Sequence, residues 1–202
     1  NLDAQLEAVW RHRPAVLTFH LGLPPEHVVE QAHRQNIAVG VTATCLREAQ
    51  DIARAGADFV VAQGWEAGGH RGIFDPSQPD EELPVLALVR SLLDCLSIPI
   101  VAAGGMMDGR DIAAVLAAGA TAAQLGTAFL CCDEAGTARA HREALREGEE
   151  ETVFTSAFSG RPARGMRNTF IDAMADKSVL AFPQQNTLTG ALRRWAASAG
   201  DV

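Results

Sequence analysis

The sequence predicts an α/β fold in which about five consecutive β/α units form part of a longer barrel. Three observations carry this expectation. Five apolar runs of strand length alternate with helical patterns along the 202 residues, as a parallel sheet buried on both faces requires. An internal echo is present: Arg54-Ala55-Gly56-Ala57, a strand and Gln63-Gly64 recur as Ala118-Gly119-Ala120-Thr121, a strand and Gln124-Leu125-Gly126. Finally, the first helical pattern, Leu2 to Trp10, has no strand before it, and the last, Ala191–Val202, stops mid-pattern.

The elements follow in order. Ala15–Phe19 is the first strand and Glu26–Gln35 its helix. Ile37–Val41 is the second, with helix Leu46–Ala55 stopping on Gly56, where a left-handed C-terminal cap favours glycine. Phe59–Ala62 runs into a loop with four glycines, and helix Val85–Leu96 comes next. The fourth strand, Ile98–Ala103, places Pro99 at its start, where a missing donor is tolerated. Helix Arg110–Ala118, strand Ala122–Leu125 and helix Glu134–Glu147 complete the run. Residues 1–202 thus read as one partial barrel domain, truncated at both ends.

Composition excludes several function classes. A net charge of −8 argues against nucleic acid or an anionic membrane as partner. Arg142-Glu143 and Arg146-Glu147 alternate in sign, as on a solvated helix face. No apolar stretch reaches bilayer length and no signal peptide opens the chain, so a cytoplasmic location is expected. Cys45, Cys95, Cys131 and Cys132 lack zinc or thioredoxin spacing and read as buried, reduced thiols. Lys177 is the only lysine, and tyrosine is absent. Schiff-base and phenolic chemistry are therefore disfavoured, and acid–base work falls to histidine or a carboxylate.

Two strand ends stand out. After Gln63 comes Gly64-Trp65-Glu66-Ala67-Gly68-Gly69-His70-Arg71-Gly72, a loop expected to add nothing to a packed core. Such a loop suits close backbone approach to a ligand, with His70 held at its edge as a titratable group. Ala103-Gly104-Gly105-Met106-Met107-Asp108-Gly109 runs from strand to helix. Exposed amides at that helix start would suit a phosphate, and Gln124-Leu125-Gly126-Thr127 offers a second amide-rich turn. An ordinary tight turn capped by Asp108 is the alternative. His20 ends the first strand and should face the same mouth, whereas His12, His27, His33 and His141 read as solvated. No histidine pair has metal-ligand spacing beside a carboxylate, so no metal is expected. Arg161, Arg164 and Arg167 could bind an anion or pair with surface carboxylates, and both readings stay open.

The segments from Gln63 to Gly72 and from Ala103 to Gly109, together with Gln124-Leu125-Gly126-Thr127-Ala128-Phe129 and Phe158-Ser159-Gly160-Arg161-Pro162-Ala163-Arg164, resemble the nitronate monooxygenase family. The family was formerly called the 2-nitropropane dioxygenases, and the resemblance runs in order along nearly the whole chain. It implies an FMN-dependent (β/α)8 TIM barrel that oxidises alkyl nitronates with O2 to a carbonyl compound and nitrite. It further implies that Gln63 and Gly68 contact the flavin and that Gly104, Gly105, Gln124, Leu125, Gly126 and Thr127 hold its phosphate region. His70 matches the catalytic base and His20 a substrate-pocket histidine, with a homodimer as the candidate assembly. The family's first strands have no counterpart here, and neither does its extreme C-terminus. Two other readings share part of the pattern: an FMN- and NAD(P)H-dependent enoyl reductase of fatty-acid synthesis, and a non-catalytic barrel binding a phosphate ligand.

Overall fold

The computed structural model describes residues 2–148 and 151–200. In chain order its elements are α1 (Leu2–His12), β1 (Val16–Phe19), α2 (Glu26–Arg34), β2 (Ala38–Ala43), α3 (Leu46–Arg54) and β3 (Phe59–Gln63). These are followed by β4 (Gly69–His70), α4 (Val85–Leu93), β5 (Ile100–Ala103), α5 (Gly109–Ala117) and β6 (Ala122–Gln124). A 3-10 turn (Thr127–Phe129), α6 (Arg139–Glu147), β7 (Thr152–Thr155), β8 (Ala163–Met166), α7 (Thr169–Met174) and α8 (Gln184–Ala199) complete the chain. It divides into two compact units.

The first unit comprises Asn1–Glu66, Gly72–Gly105 and Gly109–Gln124. Its five strands form one sheet in the order β1-β2-β3-β5-β6, every pair parallel. Strand order follows chain order without reversal, the winding of a β/α barrel and not of a doubly wound open sheet. This is the expected α/β class, with consecutive β/α units arranged as in part of a TIM barrel. All the carboxyl ends therefore share one edge of the sheet. Along that edge Gln63 pairs with Ala103, and Ala103 with Gln124, so the two echoed glutamines share one row.

Packing explains the strand sequences. β2 and β3 lie centrally and are buried at every position but their first, which is why both read as unbroken apolar runs. The edge strands β1 and β6 are more exposed. Helix α4 buries Val85, Leu88, Val89 and Leu92, one stripe at helical spacing, and α2 does the same with Val28, Val29 and Ala32. Gly56 and Gly119 end α3 and α5 with φ of +81° and +107°, the left-handed conformation that glycine adopts without a Cβ penalty.

The second unit comprises Ala67–Arg71, Met106–Asp108 and Leu125–Val202. It holds a three-stranded antiparallel sheet in the order β4-β8-β7 that the sequence reading lacks. Helix α6 begins at Arg139 and not Glu134, because the preceding residues form turns closed by Ala135 N–H donating to Cys132 O. Its charged face is not fully solvated either. Arg142 is 21% exposed at the side chain and donates to Ala135 O, while the exposed Arg139–Glu143 pair keeps the expected character. The final helix reaches Ala199, capped by Gly200; residues 201–202 of the predicted terminal pattern lie outside those described.

Two further expectations need correction. All four cysteines are free thiols, but only Cys45 is buried; Cys131 and Cys132 are half-buried, and Cys95 is exposed because it lies beyond the last residue of α4. His12, His27 and His33 are exposed as read, whereas His141 is half-buried and burial pushes its pKa down from 6.5. The folded chain thus resists protonating His141, while the unfolded chain takes up that proton as pH falls through about 6.5. Stability is lost as pH drops through that value towards the lower folded pKa. His141→Gln should therefore lose less melting temperature than the unsubstituted protein between about pH 7.5 and about pH 5. An equal loss would show that His141 does not contribute to the acid limb.

Candidate active site

In the first unit, the loop after β3 is anchored where it returns to the sheet. Gly72 N–H donates to Gln63 Oε1 at 2.8 Å, and Gln63 is itself buried. Two residues on, Phe74 N–H donates to Glu48 Oε1 at 2.7 Å. Glu48 is fully buried, and its other oxygen accepts from Thr44 N–H at 2.7 Å and Thr44 Oγ1 at 2.8 Å. With Cys45 as N-cap of α3, Glu48 occupies the third helical position and reaches back over the helix start in the manner of a capping box. One carboxylate thus fixes both the β2–α3 turn and the returning loop.

The glycine-rich loop corrects the expectation that it adds nothing to a packed core. Gln63, Gly64, Ala67, Arg71 and Gly72 are all buried. At Gly64 a Cβ would collide with Glu66 Oε2 and lie 2.6 Å from Val85 N, so this glycine is demanded by packing. The Glu66 carboxylate is committed to Val85 N–H, at 3.0 Å from Oε2, at the start of α4. Gly104 and Gly105 follow β5 with φ of +103° and +69°, and a Cβ at Gly105 would lie 2.9 Å from Glu66 Cβ. Both positions accept a side chain only under strain. Gln124, at the end of β6, is exposed. His20 is exposed at the end of β1, its Nδ1 3.1 Å from Thr42 Oγ1.

In the second unit, His70 sits on β4 and not on an irregular loop. Gly69 pairs with Arg164 and His70 with Ala163 of β8. The half-buried ring places Nε2 2.8 Å from Ser159 Oγ, and Phe182 meets it edge-on at 6.1 Å between centroids. Ser159 is 3% exposed; it also donates to Arg161 O at 3.1 Å and accepts from Arg161 N–H at 3.3 Å. A titratable ring oriented by a buried hydroxyl is the arrangement expected of a positioned acid or base. The same unit brings Gly68 against Thr127, whose Oγ1 would lie 2.7 Å from a Cβ at Gly68. Gly126 opens on empty space, with no atom within 4 Å of the position its Cβ would take. The Thr127–Phe129 turn starts there, with Phe129 N–H donating to Gly126 O at 3.0 Å.

Sequence reasoning placed Ser159 within a family segment without giving it a role, because its partner is 89 residues away. The open question of the three arginines is settled for Arg167, which pairs with Glu151 at 3.1 Å and Asp172 at 2.9 Å. Arg164 stacks on the Phe154 ring at 4.3 Å and donates to Thr152 Oγ1. Among the described residues there is no group of three or more His, Cys, Asp or Glu suited to a metal ion. No described helix is long and apolar enough to cross a membrane.

The Glu48 anchor yields a stability prediction. Glu48→Ala would remove the acceptor of the buried Thr44 N–H, at about 1–3 kcal/mol for a buried donor left unpaired, and would release the half-buried Phe74 N–H from its anchor. Urea unfolding should report a lower midpoint with little change in slope. An unchanged midpoint would mean that water replaces the carboxylate.

Against known proteins, the family model described as nitronate monooxygenase matches residues 1–202. The chain is 47% identical over 174 residues to the nitronate monooxygenase of Paraburkholderia phytofirmans, covering 86% of this chain and 48% of that protein. It is 49% identical over 172 residues to the enzyme of Pseudomonas aeruginosa, covering 84% and 49% respectively. The chain thus spans about half the length of the curated relatives it matches. Among solved structures, nitroalkane oxidase from Streptomyces ansochromogenes superposes with a TM-score of 0.92 at 42% identity, covering 100% of this chain and 59% of that one. FabK from Thermotoga maritima gives 0.76 at 31% identity, covering 95% and 59%.

Proposed function

The chain belongs to the nitronate monooxygenase family, and from that premise we propose that the whole protein oxidises alkyl nitronates with O2 to a carbonyl compound and nitrite. The observation that carries the reading is His70, in the family's Glu-Ala-Gly-Gly-His segment, with its ring 2.8 Å from the buried Ser159 hydroxyl. FMN is the proposed cofactor, with Gln63 and Gly68 contacting the flavin. Gly104, Gly105, Gln124, Leu125, Gly126 and Thr127 hold its phosphate region in this reading. The fit rests on backbone: glycines in the left-handed conformation follow β5, and Gly126 leaves open the volume a side chain would fill. Both features suit amides presented to an anion. When bound, FMN supplies the two-electron acceptor that no side chain of this protein can provide.

The chain's own residues then divide the work. His70 takes the α-proton when the substrate arrives as a neutral nitroalkane, and Ser159 holds the ring in the orientation that transfer needs. Gly69 and His70, paired to β8, make the base part of a sheet and not of a mobile loop. His20, ending β1, is the proposed contact for the substrate's nitro oxygens.

Two measurements test this reading on the full-length protein. Flavin released by heat should co-elute with FMN on chromatography, because no Gly-x-Gly-x-x-Gly motif for a pyrophosphate is present. Finding FAD, or no flavin, would remove the cofactor assignment, and rapid anaerobic bleaching by NADH would point to the reductase reading instead. His70→Asn should lower turnover of a neutral nitroalkane roughly 10²–10⁴-fold. Turnover of the preformed nitronate should fall far less, since that proton is already gone, and flavin content should stay the same. Equal losses on both substrates would exclude a base role.

A further inference from the structure

We propose that Gln185, supported by Thr189 one turn later on α8, is a positioning residue for His70. Its buried side-chain amide ties together two chain segments that hold the imidazole ring. The consequence for catalysis rests on the base role given to His70 above; the tie itself lies wholly within the second unit.

Two of the ring's contacts come from separate stretches of chain. Ser159 Oγ lies 2.8 Å from Nε2, and the Phe182 ring meets the imidazole edge-on at 6.1 Å between centroids. Ser159 belongs to a turn closed by Gly160 N–H, which donates to Ser156 O at 2.8 Å. Phe182 belongs to the entry of α8, directly before Pro183. Between the two stretches backbone meets backbone. A Cβ at Gly160, where φ is +82°, would collide with Leu180 O and lie 2.8 Å from Phe182 N. Glycine lets the stretches close on each other in this conformation.

Gln185 joins them. Its Oε1 accepts from Leu180 N–H at 3.1 Å, and its Nε2 donates to Ala157 O at 2.7 Å. One side presents a backbone donor and the other a backbone acceptor. A side-chain amide satisfies both at once, and a hydrocarbon of the same length satisfies neither. Thr189 adds a second hold, its Oγ1 donating to Phe158 O at 2.5 Å. Both residues are buried, and four positions apart they share a face of α8. The carbonyls of Ala157 and Phe158, immediately before Ser159, are thus held by one helix. That same helix, through Leu180, holds the approach to Phe182.

A base must meet the α-proton within hydrogen-bond reach and in the right direction, so loosening its supports costs proton transfer more than binding. The test uses full-length, FMN-loaded protein with 15N-labelled histidine. Gln185→Met keeps the length and removes both bonds. It should lower kcat for a neutral nitroalkane roughly tenfold, part of the 10²–10⁴ that a positioned base contributes. For the preformed nitronate kcat should stay within about twofold, with flavin content unchanged. The ring signals of His70, assigned by difference against His70→Asn, should move. Thr189→Val, which keeps the shape and removes the hydroxyl, should give the same split with a smaller loss, and Thr189→Ser should restore it. In a Ser159→Ala background Gln185→Met should cost well under tenfold, because the support it acts through is already gone.

Equal losses on the two substrates, or His70 signals that stay in place, would show that α8 supports the fold and not the base, and would overturn the proposal. So would a full tenfold loss that persists after Ser159→Ala. Should Gln185→Met not fold, the Thr189 variants decide by the same ratio of substrates. An unsubstituted protein that turns over neither substrate would instead sink the functional reading. Displaced His70 signals in Gln185→Met would then still uphold the tie, and unmoved ones would remove it.

Discussion

The bond from Gly72 N–H to Gln63 Oε1 is the constraint on which the glycine-rich segment depends. It closes the loop across its own root, joining the last residue of β3 to the point where the chain returns. A loop with four glycines would otherwise lose a large conformational entropy on ordering. One buried side-chain amide, held at the level of Ala103 and Gln124 by sheet register, fixes that return. Phe74, two residues on, is caught by Glu48, so the returning strand of chain is pinned at alternate residues to two different elements. His70 lies between the fixed ends, and pairing of β4 with β8 takes up what freedom remains.

That anchoring is possible because the sheet is parallel and wound in chain order. Every strand delivers its last side chain to the same edge, so the buried Gln63 amide lies where the returning loop can be held by it. The cost is a set of polar groups taken out of water: Glu48, Gln63, Thr42 and Thr44 are all nearly inaccessible. Each of the four is hydrogen-bonded through its side chain, as buried polar groups must be if they are not to destabilise the fold. They cluster at strand ends, where the apolar rule of the strands lapses. A purely apolar edge would pack as well and position nothing.

The sequence made the first unit legible and left much of the second obscure, for a physical reason. The five parallel strands lie in a sheet whose centre is buried on both faces, so their period is visible, and each begins and ends within two residues of its predicted range. Strands β4, β7 and β8 carry no such mark. Gly69–His70 is two residues long, and Ala163–Met166 reads Ala-Arg-Gly-Met with no alternation. β7 and β8 pair with each other across a short connection, but β4 finds its partner in β8 far off in the chain, which local pattern does not encode. Ser159 escaped notice likewise, since a serine in a glycine-flanked turn shows nothing of the histidine it orients. His20 was legible as a candidate because it follows a strand of the parallel sheet, and His70 because it follows paired glycines; what holds each ring was not.

The glycines mark where sequence reading stops and geometry takes over. As letters, Gly64, Gly72 and Gly126 are equivalent, and each invites the idea of backbone approaching a ligand. Geometry separates them. Gly64 is filled from outside by Glu66 and Val85, and Gly72 by Thr42 and His20, so both are glycine because protein already occupies the space. Gly126 faces nothing within 4 Å, and only there does a missing side chain leave a volume that something else could take. The distinction changes what a substitution means. Replacing a glycine of the first kind disturbs packing and, through it, whatever its neighbours position. Replacing one of the second kind leaves the fold alone and obstructs only what would enter from outside. A glycine-rich motif is therefore two devices written in one letter: part of it lets the protein close on itself, and part of it keeps a surface open.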